Sequence, residues 1–143
     1  MTFEKAEELA KMPLVEPGTY EFVVDRIDDS NTVDGRPRWV VFLRIVNNER
    51  FANRVLIYNA VLPWIDPTTG QWDTTGIGLL TQLCQGTATQ WLGDLRKPEV
   101  QATLKQALMG KTGFMRVGYR EYVDSTTGEK TKANRVRIVT GRR

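Results

Sequence analysis

The sequence has no histidine and only one cysteine among its 143 residues. These absences exclude zinc fingers, most transition-metal sites and every catalytic device that depends on histidine. Cys84 has no second cysteine with which to form an internal disulfide. A magnesium site made only of carboxylates stays open, but Asp28, Asp29 and Asp34 are better explained as a solvated loop. We therefore expect no metal, no cofactor and no enzymatic activity.

Long apolar runs are missing as well. No run approaches the roughly 18 residues that a membrane span requires, and residues 1–8 are too acidic and polar for a signal peptide. These features predict a cytoplasmic protein with no membrane partner. The length of 143 residues and the hydrophobic fraction of 41% are typical of one soluble domain with a buried core.

The charge is distributed unevenly along the chain. Residues 1–34 contain nine acidic and three basic residues, a net charge of −6, whereas residues 35–143 contain seventeen basic and eight acidic residues, a net charge of +9. An acidic head on a basic body predicts a surface that binds a polyanion and from which the head is kept away.

Five segments alternate apolar and polar side chains with the period of two that is typical of β-strands. They span residues 19–27, 38–46, 50–62, 113–122 and 130–138. Helical patterns form an insertion over residues 74–110, between the third and fourth strands, and a weaker pattern predicts an acidic helical extension over residues 1–13. This order predicts a mainly β single domain, a five-stranded antiparallel OB-fold barrel.

The last two strands combine rings and cations on one side of a hairpin. The residues on this side are Phe114, Arg116, Arg120, Tyr122, Arg135 and Arg137. The other side of the fourth strand is expected to face the core with Met115, Val117, Tyr119 and Val123. Rings that stack bases and cations that hold phosphates are typical of surfaces for single-stranded nucleic acid.

Two further groups would complete this surface. Lys130 and Lys132, after the turn of the hairpin, would close over a bound strand. Strands two and three would extend the surface with Arg38, Phe42, Arg44, Arg54 and Tyr58. Any one of these rings, taken alone, is more often a core residue, and it is their combination over several strands that favours binding.

The four tryptophans have different expected roles. Trp39 lies on the most apolar face of its strand, which favours the core, and Trp91 is expected to pack the helical insertion onto the barrel. Trp64 and Trp72 lie in a loop, where they would cap the core, stack on bases or anchor a partner.

Four segments, in this order, carry a resemblance to a known group of proteins. They are Val15–Val24 (VEPGTYEFVV), Leu79–Cys84 (LLTQLC), Leu108–Val117 (LMGKTGFMRV) and Asn134–Val136 (NRV). The chain resembles phage-encoded single-stranded DNA-binding proteins with an OB-fold, which occur beside replication and recombination genes. Many single-stranded DNA-binding proteins end in an acidic tail, whereas this sequence ends in the basic residues Arg142 and Arg143.

The resemblance implies a function in the cytoplasm of the host cell. The protein would coat single-stranded DNA without sequence preference during phage replication or recombination, and its partners would include phage or host replication and recombination proteins. The sequence leaves open whether the protein forms a homodimer. Two alternatives also remain: a phage structural or protein-interaction module that uses Trp64, Trp72 and the helical insertion, and a metal-dependent nuclease.

Overall fold

A computed structural model describes residues 13–140 of the chain. The elements in chain order are β1 (Gly18–Asn31), β2 (Pro37–Val46), β3 (Val55–Val61), β4 (Trp64–Ile65), β5 (Trp72–Asp73), a 3₁₀ turn (Thr75–Ile77), α1 (Gly78–Gly86), α2 (Pro98–Leu108), β6 (Thr112–Val123) and β7 (Lys130–Ile138). The helical extension expected over residues 1–13 lies outside the described residues, apart from Pro13. None of the helices between residues 13 and 140 is long and apolar enough to cross a membrane.

The long strands form one antiparallel sheet in the order β3-β2-β1-β6-β7, and β4 and β5 form a separate small sheet. The prediction of a mainly β fold with five antiparallel strands and two helices before the last two strands is therefore confirmed. The closed OB-fold barrel is not confirmed, because β3 and β7, at the two edges of the sheet, are not joined by a ladder.

Side chains bridge these two edges instead. The Asn134 amide on β7 accepts a hydrogen bond from the Val15 backbone N–H at 2.9 Å and donates one to the Val15 carbonyl at 2.8 Å. Arg54, immediately before β3, donates to the Pro13 carbonyl at 2.5 Å. We call this contact of residues 13–15 with β3 and β7 the seam. It satisfies the backbone N–H and carbonyl of Val15 and the carbonyl of Pro13, which lie outside the strand ladders.

The core lies between the inner face of the sheet and the two helices. Phe22, Trp39 and Met115 are fully or almost fully buried there, together with Leu83 of α1 and Leu104 of α2. Trp39 is therefore a core residue, as the sequence predicted, and Trp91 packs against the same core while partly buried.

Two glycines allow α1 to end close to the sheet. A Cβ atom at Gly113 would lie 2.8 Å from the Phe22 ring and 3.0 Å from the Gly86 carbonyl oxygen, and one at Gly86 would lie 2.3 Å from Ile138. Both distances to neighbouring side chains are shorter than a real Cβ contact, so a side chain at either position would push the helix away. This close packing fixes the base of β6 and β7.

Candidate nucleic-acid interface

The last two strands extend beyond the sheet as a two-stranded ribbon. β1 pairs with β6 only from Thr112 to Val117, whereas β7 pairs with β6 as far as Val123. We call residues 118–135 the β6–β7 arm. Tyr119 and Val123 are 42% and 61% exposed. The prediction that they face the core is wrong, because the ribbon continues past the end of the β1 ladder.

The arm ends in an ordered turn. The Asp124 carboxylate accepts hydrogen bonds from the backbone N–H groups of Thr126, at 2.7 Å, and Thr127, at 3.2 Å. Gly128 has a φ of 72°, a left-handed conformation that glycine adopts without a steric cost. The turn therefore holds the ends of β6 and β7 in register.

Strand alternation places the predicted rings and arginines of the arm and its base on one side of the sheet. We call this side of β6 and β7 the arginine face: Phe114, Arg116, Arg120, Tyr122, Arg135 and Arg137. Arg116 lies directly opposite Arg137 in the ladder, and Gly118 lies opposite Arg135. Directly opposite side chains share a face at close range, so two arginines in such a pair repel each other. An anion bound between them would remove this repulsion.

A depression lies between these arginines. It has a volume of about 210 Å³, and Arg116, Arg135 and Arg137 line it together with Gly118. A Cβ atom at Gly118 would have nothing within 4 Å. The missing side chain therefore leaves open space at the floor of a site lined by three arginine residues, a combination that suits a phosphate.

Within the part of the chain that the structure describes, no carboxylate neutralises the positive charge of the arginine face. None of its four arginines forms an ion pair with a residue between 13 and 140. Residues 111–137 contain seven basic and three acidic residues. Two rings on the same face are accessible, since Phe114 is 38% and Tyr122 47% exposed.

Lys130 and Lys132 lie on the other face of the arm. In the ladder they pair with Val123 and Glu121, which alternate with the arginine-face residues of β6. The Lys132 ammonium lies 5.6 Å from the centre of the Tyr119 ring. These two lysines therefore do not close over the arginine face as the sequence suggested.

The expected extension of this surface onto β2 is wrong for Phe42. Its side chain is only 4% exposed, and the Arg26 guanidinium lies 5.7 Å from the centre of its ring. Arg38 is half-buried. Arg44 is paired with the Asp25 carboxylate at 3.3 Å and also donates to the Asn53 side chain at 3.2 Å. No ring is available for stacking at Phe42.

Tyr58 also does not belong to the surface. It lies opposite Val41, on the inner face, whereas Phe42 pairs with Ile57 on the outer face. The Tyr58 hydroxyl donates to the Leu79 carbonyl at 2.7 Å, which ties β3 to α1, and burial raises the pKa of Tyr58 well above its usual value. Arg54, predicted with it, belongs to the seam. Both side chains make hydrogen bonds within the protein.

The tryptophans of the small sheet are each approached by an arginine. Arg36 lies 5.2 Å from the centre of the Trp64 ring, and the Trp64 indole N–H donates to Asp73 at 3.4 Å. Arg96 lies 5.8 Å from the centre of the Trp72 ring. Trp72 is 44% exposed and pairs with exposed Ile65. These rings belong to a sheet separate from the arginine face.

Arg96 is held in place by Asp94. Its guanidinium contacts the Asp94 carboxylate at 2.6 to 3.0 Å. Hydrogen bonds from Arg96 lower the pKa of Asp94 to about 2. The pair therefore stays ionised at neutral pH.

The three aspartates considered as metal ligands each contact a different side chain. Asp28 and Asp29 are in β1, not in a loop, and pair with Arg26 at 2.7 Å and Lys105 at 3.0 Å. Asp34 accepts a hydrogen bond from the Thr32 hydroxyl. Among residues 13–140, no group of three or more aspartate, glutamate or cysteine residues is placed to hold a metal. Burial raises the pKa of the Cys84 thiol to about 11.

Sequence reasoning missed Gly118 as a site residue. A glycine inside a strand pattern often marks the close approach of a ligand or a backbone, and this signal was present between Arg116 and Arg120. A comparison of the sequence with protein-family profiles and with curated proteins found no match.

Proposed function

We propose that the protein binds single-stranded DNA, without sequence preference, through the arginine face. The observation that supports this most directly is the opposed pair Arg116 and Arg137 beside the open floor at Gly118. Two like charges in direct opposition destabilise a ladder unless a ligand of opposite charge is bound. Phosphate is the anion whose geometry arginine matches best.

The exposed rings favour a single strand over a duplex. Stacking on an aromatic side chain contributes roughly 1–3 kcal/mol per base, and a base can stack on a protein ring only when its own face is free. Phe114 and Tyr122 lie on the same face as the arginines and so can receive the bases of a strand whose phosphates the arginines bind. The proposed setting is phage replication or recombination.

The strand order supports the finer fold assignment. An OB-fold places its helix between the third and fourth strands of a five-stranded antiparallel sheet, and α1 and α2 lie between β3 and β6 here. We propose that the sheet is an OB-type barrel that the seam completes with side-chain hydrogen bonds in place of a last ladder.

The proposal makes a quantitative prediction about salt. Each phosphate neutralised on a single strand contributes about −0.7 to the slope of log affinity against log salt. Four arginines would give a slope of roughly −3. Fluorescence anisotropy of labelled oligo-dT, and of a duplex of the same length, over a range of salt concentrations measures this slope. Salt-independent binding or no binding to oligo-dT would overturn the proposal.

One substitution tests the arginine face without changing its charge. Gly118→Val places a side chain in the depression, where a Cβ has open space, so the affinity for oligo-dT should fall about tenfold while the melting temperature holds or rises. Asn59→Val adds the same side chain at an exposed position on β3 and should change affinity less than twofold. Equal effects of the two variants would contradict the assignment.

A further inference from the structure

A second concave site lies at the seam, between the edges of β3 and β7. It is a groove of about 290 Å³. Leu14, Val55 and Ile57 give it apolar walls, and Tyr122, Lys132 and Ala133 line it on the side of the arm. The seam residues Arg54 and Asn134 line it as well. Among residues 13–140, no strand lies between the edges of β3 and β7 to fill this space.

The residues that line the groove suit a flat aromatic ligand that carries a negative charge at one edge. Aliphatic side chains exclude water from the faces of a flat ligand, an aromatic ring offers a stacking surface, and a lysine adds a positive charge at the edge. The volume of about 290 Å³ lies just below the roughly 300–1,000 Å³ of most small-molecule sites. A single aromatic base with its phosphate at Lys132 matches both the size and the chemistry.

The groove is continuous with the arginine face through Tyr122. Tyr122 belongs to that face, and it also lines the groove. Arg120 lies opposite Ala133 in the ladder, which makes Tyr122 the diagonal neighbour of Ala133. Diagonal neighbours are within reach of an aromatic side chain, and the small side chain of Ala133 leaves the ring room to lie toward β3.

We propose that this groove binds one unpaired base of the strand whose phosphates the arginine face holds. The inference rests on the proposed function and deepens it. The base enters between Tyr122 and the apolar edge of β3, and Lys132 contacts its phosphate. This arrangement assigns to Lys132 a role different from closing over the arginine face.

Filling the groove tests this assignment. In Ala133→Leu the larger side chain occupies the space beside Tyr122, and Ala133→Ser is the matched control that keeps the space. The two probes are oligo-dT and an abasic deoxyribose-phosphate chain of the same length, both measured by anisotropy. Ala133→Leu should weaken oligo-dT roughly tenfold, since stacking of one base is lost, and change the binding of the abasic chain less than twofold.

A second variant provides the test if Ala133→Leu does not fold. Val55→Met lengthens a side chain on the β3 wall of the groove, outside the arginine face, without adding a ring or a charge, and should show the same selective loss of affinity for oligo-dT. If both variants weaken the two probes equally, or weaken neither, the groove does not bind a base. If the abasic chain binds and Gly118→Val weakens it, the proposed function stands even when the groove assignment fails. If the unchanged protein binds neither probe, both proposals fail together.

Discussion

The outer face of the large sheet has two halves that carry the same kinds of side chain in different states. On β1 and β2, Arg26 pairs with Asp28, Arg44 pairs with Asp25, and Phe42 is buried beneath Arg26. On β6 and β7 the arginines have no ion-pair partner between residues 13 and 140, and the two rings are exposed.

The difference lies in whether the arginines of each half are paired with carboxylates, and it is the reason that we propose binding at β6 and β7 and not at β1 and β2. An arginine beside a carboxylate has its charge neutralised and its donors used, so it contributes to stability and offers little to a ligand. An arginine opposite another arginine keeps its donors free and gains free energy when an anion arrives. The acidic residues of β1, not the basic residues themselves, therefore distinguish the two halves.

The largest expected contrast is between the two phenylalanines of this face. Phe42→Ala removes a buried ring and should lower the free energy of unfolding by about 3–5 kcal/mol. Phe114→Ala removes a ring that is 38% exposed and should cost about 1 kcal/mol of stability, while it weakens oligo-dT about tenfold. Urea unfolding and anisotropy measure the two effects. Equal destabilisation by both variants would place Phe114 in the core and break the comparison.

Substitution of two arginines in each half should give a smaller difference between the halves, measured as affinity for oligo-dT and as stability. The double variant Arg116→Ala with Arg137→Ala should lower affinity for oligo-dT at least tenfold and reduce the salt slope by about 1.4, at about 0.7 per phosphate. Its stability should hold or rise, because a like-charge pair is removed.

The matched double variant is Arg26→Ala with Arg44→Ala. It removes two exposed ion pairs and the cation over Phe42, so stability should fall by about 1 kcal/mol while affinity changes less than twofold. A loss of affinity as large as that of the first double variant would show that both halves bind the strand.

The smallest expected effect is that of pH. The sequence has no histidine, and arginine keeps its charge throughout the neutral range. The affinity for oligo-dT should therefore vary less than threefold between pH 5.5 and 8.5 at constant ionic strength. A steeper dependence would indicate that a carboxylate controls the arginine face, and would reduce the contrast with the β1–β2 half.

The strand pattern predicted the direction of side chains better than their environment. The alternation along β6 placed Arg116 and Met115 on opposite sides, as the structure does, but it also assigned Tyr119 to the core. Period two reports only the side of a strand on which a residue lies. Whether that side is covered depends on how far the neighbouring strand extends, and the β1 ladder stops at Val117.

Phe42 was mistaken for a stacking ring for a related reason. A bulge between Val24 and Arg26 shifts the register of β1 by one residue, so that Arg26, and not Asp25, lies opposite Phe42. A one-residue shift changes which side chains meet across a ladder. No local sequence pattern marks this bulge, so the residue opposite Phe42 could not be predicted from the alternation within each strand alone. The prediction for Tyr58 was wrong because it placed Tyr58 on the same face of the sheet as Phe42. In the ladder Tyr58 pairs with Val41, on the inner face.

The seam has a consequence for the order in which the chain can complete its fold. Asn134 reaches Val15 across 119 positions of sequence, so the ribosome must release nearly all of the chain before this contact can exist. The loop that it closes is among the longest that the chain can make, and closing such a loop costs more entropy than closing a local hairpin. Residues 13–15, synthesised among the first, must wait for Asn134, and the groove acquires its Leu14 wall only when the chain is almost finished.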